Sequence, residues 1–104
     1  MNEPRWIHRE DCILLREMLL VRFGGAAGVR DPAQLDATVA RVKERFAAGV
    51  DALGKLAACY CSGIIQNRPF MSGNLAAAFV IPAAFLDCNG LRFRGDAVPG
   101  RFGL

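Results

Sequence analysis

The residues best placed to do chemistry fall in one short stretch, Gln66-Asn67-Arg68-Pro69-Phe70-Met71-Ser72-Gly73-Asn74. It reads as a turn that opens a helix. Pro69 drives Arg68 out of helical geometry. Gly73 permits backbone angles closed to other residues and lets a ligand approach closely. An uncharged apolar run follows from Leu75. The first N–H groups of a helix have no partners inside it, and the aligned peptide dipoles make that end positive. Such a junction attracts anions, phosphate above all. Phe70 can anchor the turn by reaching into a core. Arg68 adds a cation that can hold a phosphate or bind a partner's carboxylate.

Other chemistry-bearing residues are sparse. The four cysteines, Cys12, Cys59, Cys61 and Cys88, include no C-x-x-C pair and so no zinc knuckle. They read as small buried hydrophobes in a reducing compartment. The lone His8 precedes the first helix and suits a cap or the surface; no second histidine exists to assist it. The formal net charge is +3 and the pI about 8.9. The cations are scattered, with loose groups at Arg41, Lys43, Arg45 and at Arg92, Arg94, Arg101, rather than gathered in one stripe. That pattern argues against a nucleic-acid partner. The longest apolar run, Leu75–Leu86, falls short of the ~18 residues that span a bilayer. The polar start Met1–Asp11 carries no leader, so the expected compartment is the cytoplasm and no membrane partner is expected.

The 104 residues suffice for one domain, and their hydrophobic fraction of 53% exceeds the usual range of about 45–50%. Four helices are expected to position the turn. The first runs from Arg9 to Phe23, with a buried stripe of Ile13, Leu14, Met18, Leu20 and Val21 and a stop at Gly24-Gly25. The second starts at Asp31-Pro32-Ala33-Gln34, where Asp31 is the N-cap, Pro32 fits the first helical position and Gln34 completes a capping box. It runs to about Phe46 and buries Leu35, Val39, Val42 and Phe46. The third is capped by Asp51 and repeats Leu53, Leu56, Ala57, Tyr60 and Ile64 at helical spacing. Gly54 and Gly63 weaken it, and glycine there lets another helix come close. The fourth runs from Asn74 to the stop at Asn89-Gly90, with a kink at Pro82. It is apolar all round and therefore expected at the centre, buried on every face. The Gly-, Pro- and Arg-rich end, 95–104, reads as a loose tail behind a domain of residues 1–94.

At this point the chain resembles a known family. Asn67-Arg68-Pro69-Phe70-Met71-Ser72-Gly73-Asn74 is similar to the N-H-P-F-x-D-G-N-K-R signature of Fic/Doc (Fido) proteins, in their death-on-curing branch. The likeness extends to Phe23-Gly24-Gly25, to Gly28-Val29-Arg30-Asp31-Pro32 with Leu35 and Ala37, and to Asn89-Gly90-Leu91-Arg92, so it covers roughly residues 6–94. The resemblance implies an all-α fold, a small Fic/Doc-like bundle around a central buried helix at about 74–89. It also implies a C-terminal region shorter than in relatives, which continue into further helix.

In that family a histidine of the turn is the general base, an acidic or amide residue helps hold Mg²⁺, and N–H groups with basic residues hold nucleotide phosphates. Fic relatives transfer AMP; Doc toxins phosphorylate elongation factor Tu and are neutralised by an antitoxin, Phd. Here the histidine position is Arg68, the acidic position Ser72, and the lysine and arginine positions Leu75 and Ala76, while Pro69, Phe70, Gly73 and Asn74 remain. An arginine stays protonated and cannot serve as a base, whose loss typically costs ~10²–10⁴ in rate. Serine is a poor ligand for Mg²⁺, and two cations are gone from a reaction that depends on charge and positioning. The expectation is a degenerate Doc-like protein of a toxin–antitoxin system, acting through binding to a Phd-like antitoxin, another protein or a second copy. Its vestigial phosphate-binding residues would be Phe70, Ser72, Gly73, Asn74, Leu75 and Ala76, with Arg68 at the catalytic position and no metal ligand. The alternative is an active transferase that uses ATP and Mg²⁺ to modify a hydroxyl of a protein such as elongation factor Tu.

Overall fold

Start and stop residues set the helix ends. The computed structural model describes residues 3–91 and contains α1 Arg9–Phe23, α2 Pro32–Ala47, α3 Leu53–Asn67 and α4 Asn74–Cys88. The expected loose tail at 95–104 and the cations Arg92, Arg94 and Arg101 lie outside the described residues. The all-α expectation holds: no strand forms among the described residues, and the only extended pairing there is an isolated bridge between Val29 and Phe70. No helix among them is long and apolar enough to cross a membrane.

His8 caps α1, its backbone N–H donating to the Asp11 carboxylate at 2.9 Å, and Gly24 at φ 76 ends the helix. Asp31 caps α2 by accepting the Gln34 N–H at 3.2 Å. The expected capping box is only half made. The Asp31 N–H donates to the Pro69 carbonyl at 3.1 Å, so the turn before α4 takes the role expected of the Gln34 side chain. The N-cap of α3 is Ala52, one residue beyond the expected Asp51, and makes no side-chain cap bond.

α3 lies between α2 and α4 and buries Leu56, Ala57, Tyr60, Gly63 and Ile64, while α1 packs on α4 and more lightly on α2. The start of α2 meets the end of α3, where Asn67 Nδ2 donates to Thr38 Oγ1 at 2.9 Å, so these helices run antiparallel. Gly63 makes the contact possible, since a Cβ there would sit 2.8 Å from Thr38 Cγ2. Gly54 has open space around it and plays no such part. The N-terminal segment closes the far end. Tyr60 Oη accepts the Ile7 N–H at 3.0 Å, Trp6 stacks on Phe85, and Asn89 brackets Arg5 through both backbone groups.

Two expectations about buried faces are corrected. α1 buries Cys12 and Arg16 and leaves Leu14, Met18 and Val21 exposed. Its charged residues, Arg9, Glu10, Asp11, Arg16, Glu17 and Arg22, are spread around the helix among the apolar ones, so periodicity alone does not select the face; the partners of Arg16 do. α4 is buried on one side only, through Ala77, Ala78, Ile81, Pro82 and Phe85, while Leu75 and Phe79 are 67% and 69% exposed. α2 does not cover that outer side. The cysteines also differ among themselves: Cys12 is buried, Cys59 and Cys61 are half-buried and Cys88 is exposed, all free. Burial pushes the Cys12 thiol from its ordinary 9.0 up to about 12, with Asp11 and Glu10 adding to the effect, so it is no nucleophile near neutral pH.

The two helical glycines make a paired test. Gly63→Val forces α2 and α3 apart and is expected to cost about 1–3 kcal/mol. Gly54→Ala fills open space and is expected to raise stability by up to ~1 kcal/mol. Urea denaturation followed by circular dichroism reads both.

Candidate functional site

The turn is built from its backbone outward. α3 ends on Arg68, whose φ of 46 and ψ of 60 place it in the left-handed region, the only non-glycine residue with positive φ among those described. The turn accommodates that unusual conformation because neighbours hold its carbonyls. Arg30 Nε donates to the Arg68 carbonyl at 2.6 Å and Arg30 Nη2 to the Asn67 carbonyl at 2.6 Å, so a guanidinium sits on the negative end of α3. The Pro69 carbonyl accepts the Arg30 and Asp31 N–H groups, and the Met71 N–H donates to the Gly28 carbonyl at 3.0 Å. The segment 28–31 thus lies along the turn as a short extended partner.

Phe70 anchors the turn as expected, 1% exposed and fully in the core. Asn74 closes it: its Oδ1 accepts the Phe70 N–H and its Nδ2 donates to the Phe70 carbonyl, both at 3.0 Å. Gly73 follows at φ 70 and ψ 23 as the N-cap of α4. The helical ladder begins with the Ala77 N–H on the Gly73 carbonyl at 3.0 Å. The N–H groups of Asn74, Leu75 and Ala76 therefore precede the ladder and find no acceptor within the helix.

Ser72 points inward. Its carbonyl accepts Arg16 Nε–H at 2.8 Å and its Oγ accepts Arg16 Nη2–H at 2.9 Å. The same hydroxyl accepts the Ala26 N–H at 2.9 Å and donates to the Ala26 carbonyl at 3.0 Å. Arg16 is only 4% exposed and is in no ion pair among the described residues. Neutral oxygens hold a buried cation here, the arrangement that keeps its desolvation tolerable. The packing is close. A Cβ on Gly73 would lie 2.5 Å from Arg16 Cζ, and one on Gly25 would lie 2.7 Å from Ser72 Oγ.

The structure therefore gathers Phe70, Ser72, Gly73 and Asn74 into one turn, with Phe70 bonded to Asn74 and Ser72 to Arg16 and Ala26, and leaves Arg68, Leu75 and Ala76 exposed around the mouth of α4. Two residues matter to the turn beyond the sequence reading: Arg16 escaped it altogether, and Arg30 entered it only as part of the matching flank 28–32. A signal for the first existed: Arg16 interrupts the apolar run Ile13-Leu14-Leu15 and Met18-Leu19-Leu20, two turns before Gly24-Gly25. From Asn67 to Ala76 the sequence contains no histidine and no carboxylate. With its hydroxyl committed to Arg16 and Ala26, Ser72 offers Mg²⁺ no charged oxygen, and the residues present do not fit that ion. Among the described residues no three His, Cys, Asp or Glu side chains converge on a metal position.

No family model matches the chain. The chain is similar to a curated protein named Toxin Doc from Mycolicibacterium smegmatis (strain ATCC 700084 / mc(2)155), with 33% identity over 94 residues that cover 88% of this chain and 69% of that protein.

The close fit over Gly73 yields a prediction. Gly73→Ala adds a methyl group against Arg16 and strains a left-handed backbone, and is expected to lower stability by more than ~1 kcal/mol. Ala76→Gly, which only loosens the exposed first turn, is expected to cost no more than about 1 kcal/mol. Equal losses in denaturant melts would contradict the packing of Arg16 under Gly73.

Proposed function

Because the chain belongs to the Doc toxin family, we propose that it is a Doc-like protein of a toxin–antitoxin system in which the turn has kept its shape and lost its transfer chemistry, so that it acts by binding other proteins. The observation that carries this reading is the inward commitment of Ser72: the residue at the family's acidic position is bonded to Arg16 and Ala26. Beside it, Arg68 stands at the histidine position, and no group of the turn can accept a proton from a target hydroxyl near neutral pH. Leu75 and Ala76 bring no charge to a phosphate at the α4 mouth. The partner expected on this reading is an antitoxin of the Phd kind, with a second copy of the chain or another protein as further candidates. Arg68, exposed at the rim, is suited to a partner's carboxylate.

The competing reading is an active transferase that moves a phosphoryl or AMP group from ATP to a hydroxyl of a protein such as elongation factor Tu. One experiment separates the two. The purified full chain is incubated with elongation factor Tu, Mg²⁺ and ATP labelled in separate reactions at the α- and γ-phosphate. We expect no label on the target in either reaction, and transfer from either position would overturn the proposal.

A further inference from the structure

Two surfaces outside the turn are complementary, and one chain carries both. The first is the exposed strip of α1. Leu14, Met18 and Val21 repeat at i, i+4 and i+7 and so lie on one face. They are 56%, 60% and 91% exposed, the reverse of what three large apolar side chains on a core helix would show. Glu10, Asp11 and Glu17 flank the strip, against the single cation Arg22. The strip is apolar knobs with acidic borders.

The second surface is a groove of about 980 Å³ between α2 and α3, on the open side of their contact at Gly63. Its lining includes the small side chains Ala37, Ala40, Ala58 and Ser62. Its rim carries Arg41, Arg45 and Lys55 against the single acid Glu44. Among the described residues those three cations are in no ion pair. The groove is thus an open trough, polar and apolar in about equal parts, with a mainly basic lining opposite in sign to the borders of the strip, and it has room for bulky side chains.

We propose that the α1 strip of one copy seats in the α2–α3 groove of another, with Leu14, Met18 and Val21 against Ala37, Ala40 and Ala58 and Glu10 and Glu17 against Arg41, Arg45 and Lys55. Each half of the interface is on a different face, so the contact is heterologous: every copy offers one strip and one groove, and association extends beyond a pair. The contact is independent of whether the turn transfers anything. It covers the apolar strip that the fold leaves open, and its opposed charges set register and favour encounter.

The test uses the full chain and sedimentation velocity from micromolar to millimolar concentration. The wild-type chain is expected to self-associate with concentration, and less so as added salt screens the charges. Met18→Glu in the strip and Arg45→Glu in the groove are each expected to weaken association about tenfold or more. Both positions are exposed, and circular dichroism checks that the helices remain; Val21→Ser and Lys55→Glu replace any variant that does not fold. The decisive arm mixes the strip variant with the groove variant. Each retains the half the other lacks, so the mixture is expected to form a one-to-one dimer and stop there. A wild-type chain that stays monomeric at millimolar concentration overturns the proposal and leaves both surfaces to other partners. Association that survives the groove variants, or a mixture that does not pair, overturns it as well.

Discussion

A guanidinium taken out of water must find its compensation inside the protein, and Arg16 finds it on Ser72, which offers both a carbonyl and a hydroxyl. The hydroxyl is shared with both backbone groups of Ala26, so one serine ties α1, the loop after it and the turn before α4. The remaining geometry of the turn follows from that junction. Gly73 and Gly25 have no room for a side chain because Arg16 and Ser72 lie against them. Asn74 and Arg30 then fix the two flanks, one through the backbone of Phe70 and the other through the carbonyls that end α3.

This junction also bears on the proposal that the turn has lost its transfer chemistry. On the proposed reading, Ser72 stands where relatives carry an acid, and the bonds within the chain account for its being there. The turn is closed by those bonds, and Ser72 has a structural task in it. Charged hydrogen bonds of this kind contribute about 1.5–3 kcal/mol each, and leaving a buried cation short of partners costs at least as much. Such a site is maintained by stability alone, whatever becomes of its chemistry. The same bonds give the α4 mouth a fixed shape, which a binding surface needs as much as an active site does.

Much of the fold was legible because local signals agreed with tertiary ones. Gly24, Asp31-Pro32, Gly73 and Asn89-Gly90 each mark a helix end that the structure keeps. A close helix approach at Gly63 was also legible, but not which helix would approach, and the same reading does not hold at Gly54. What could not be read was which side of a helix without a distinct apolar face points inward. In α1 the choice is made by Arg16, whose partner is 56 residues away in the chain; in α4 the outer side carries Leu75 and Phe79 although nothing in the sequence distinguishes it as outer. The half-made capping box at Asp31 has the same cause, because the carbonyl that replaced the Gln34 side chain belongs to Pro69. For the candidate site, the identity and order of the turn residues were evident, but the direction of the Ser72 side chain was not. Spacing gives a helix face, whereas a turn side chain points where its distant partners allow.

The turn depends most directly on the energetic coupling between Arg16 and Ser72. A double-mutant cycle of Arg16→Met and Ser72→Ala, measured by urea denaturation at neutral pH, isolates that coupling from the separate cost of each change. The expected result is a favourable interaction of about 1 kcal/mol or more, with the double variant clearly more stable than the sum of the two losses implies. Losses that add within ~0.3 kcal/mol would contradict it, since the guanidinium would then owe nothing to the serine.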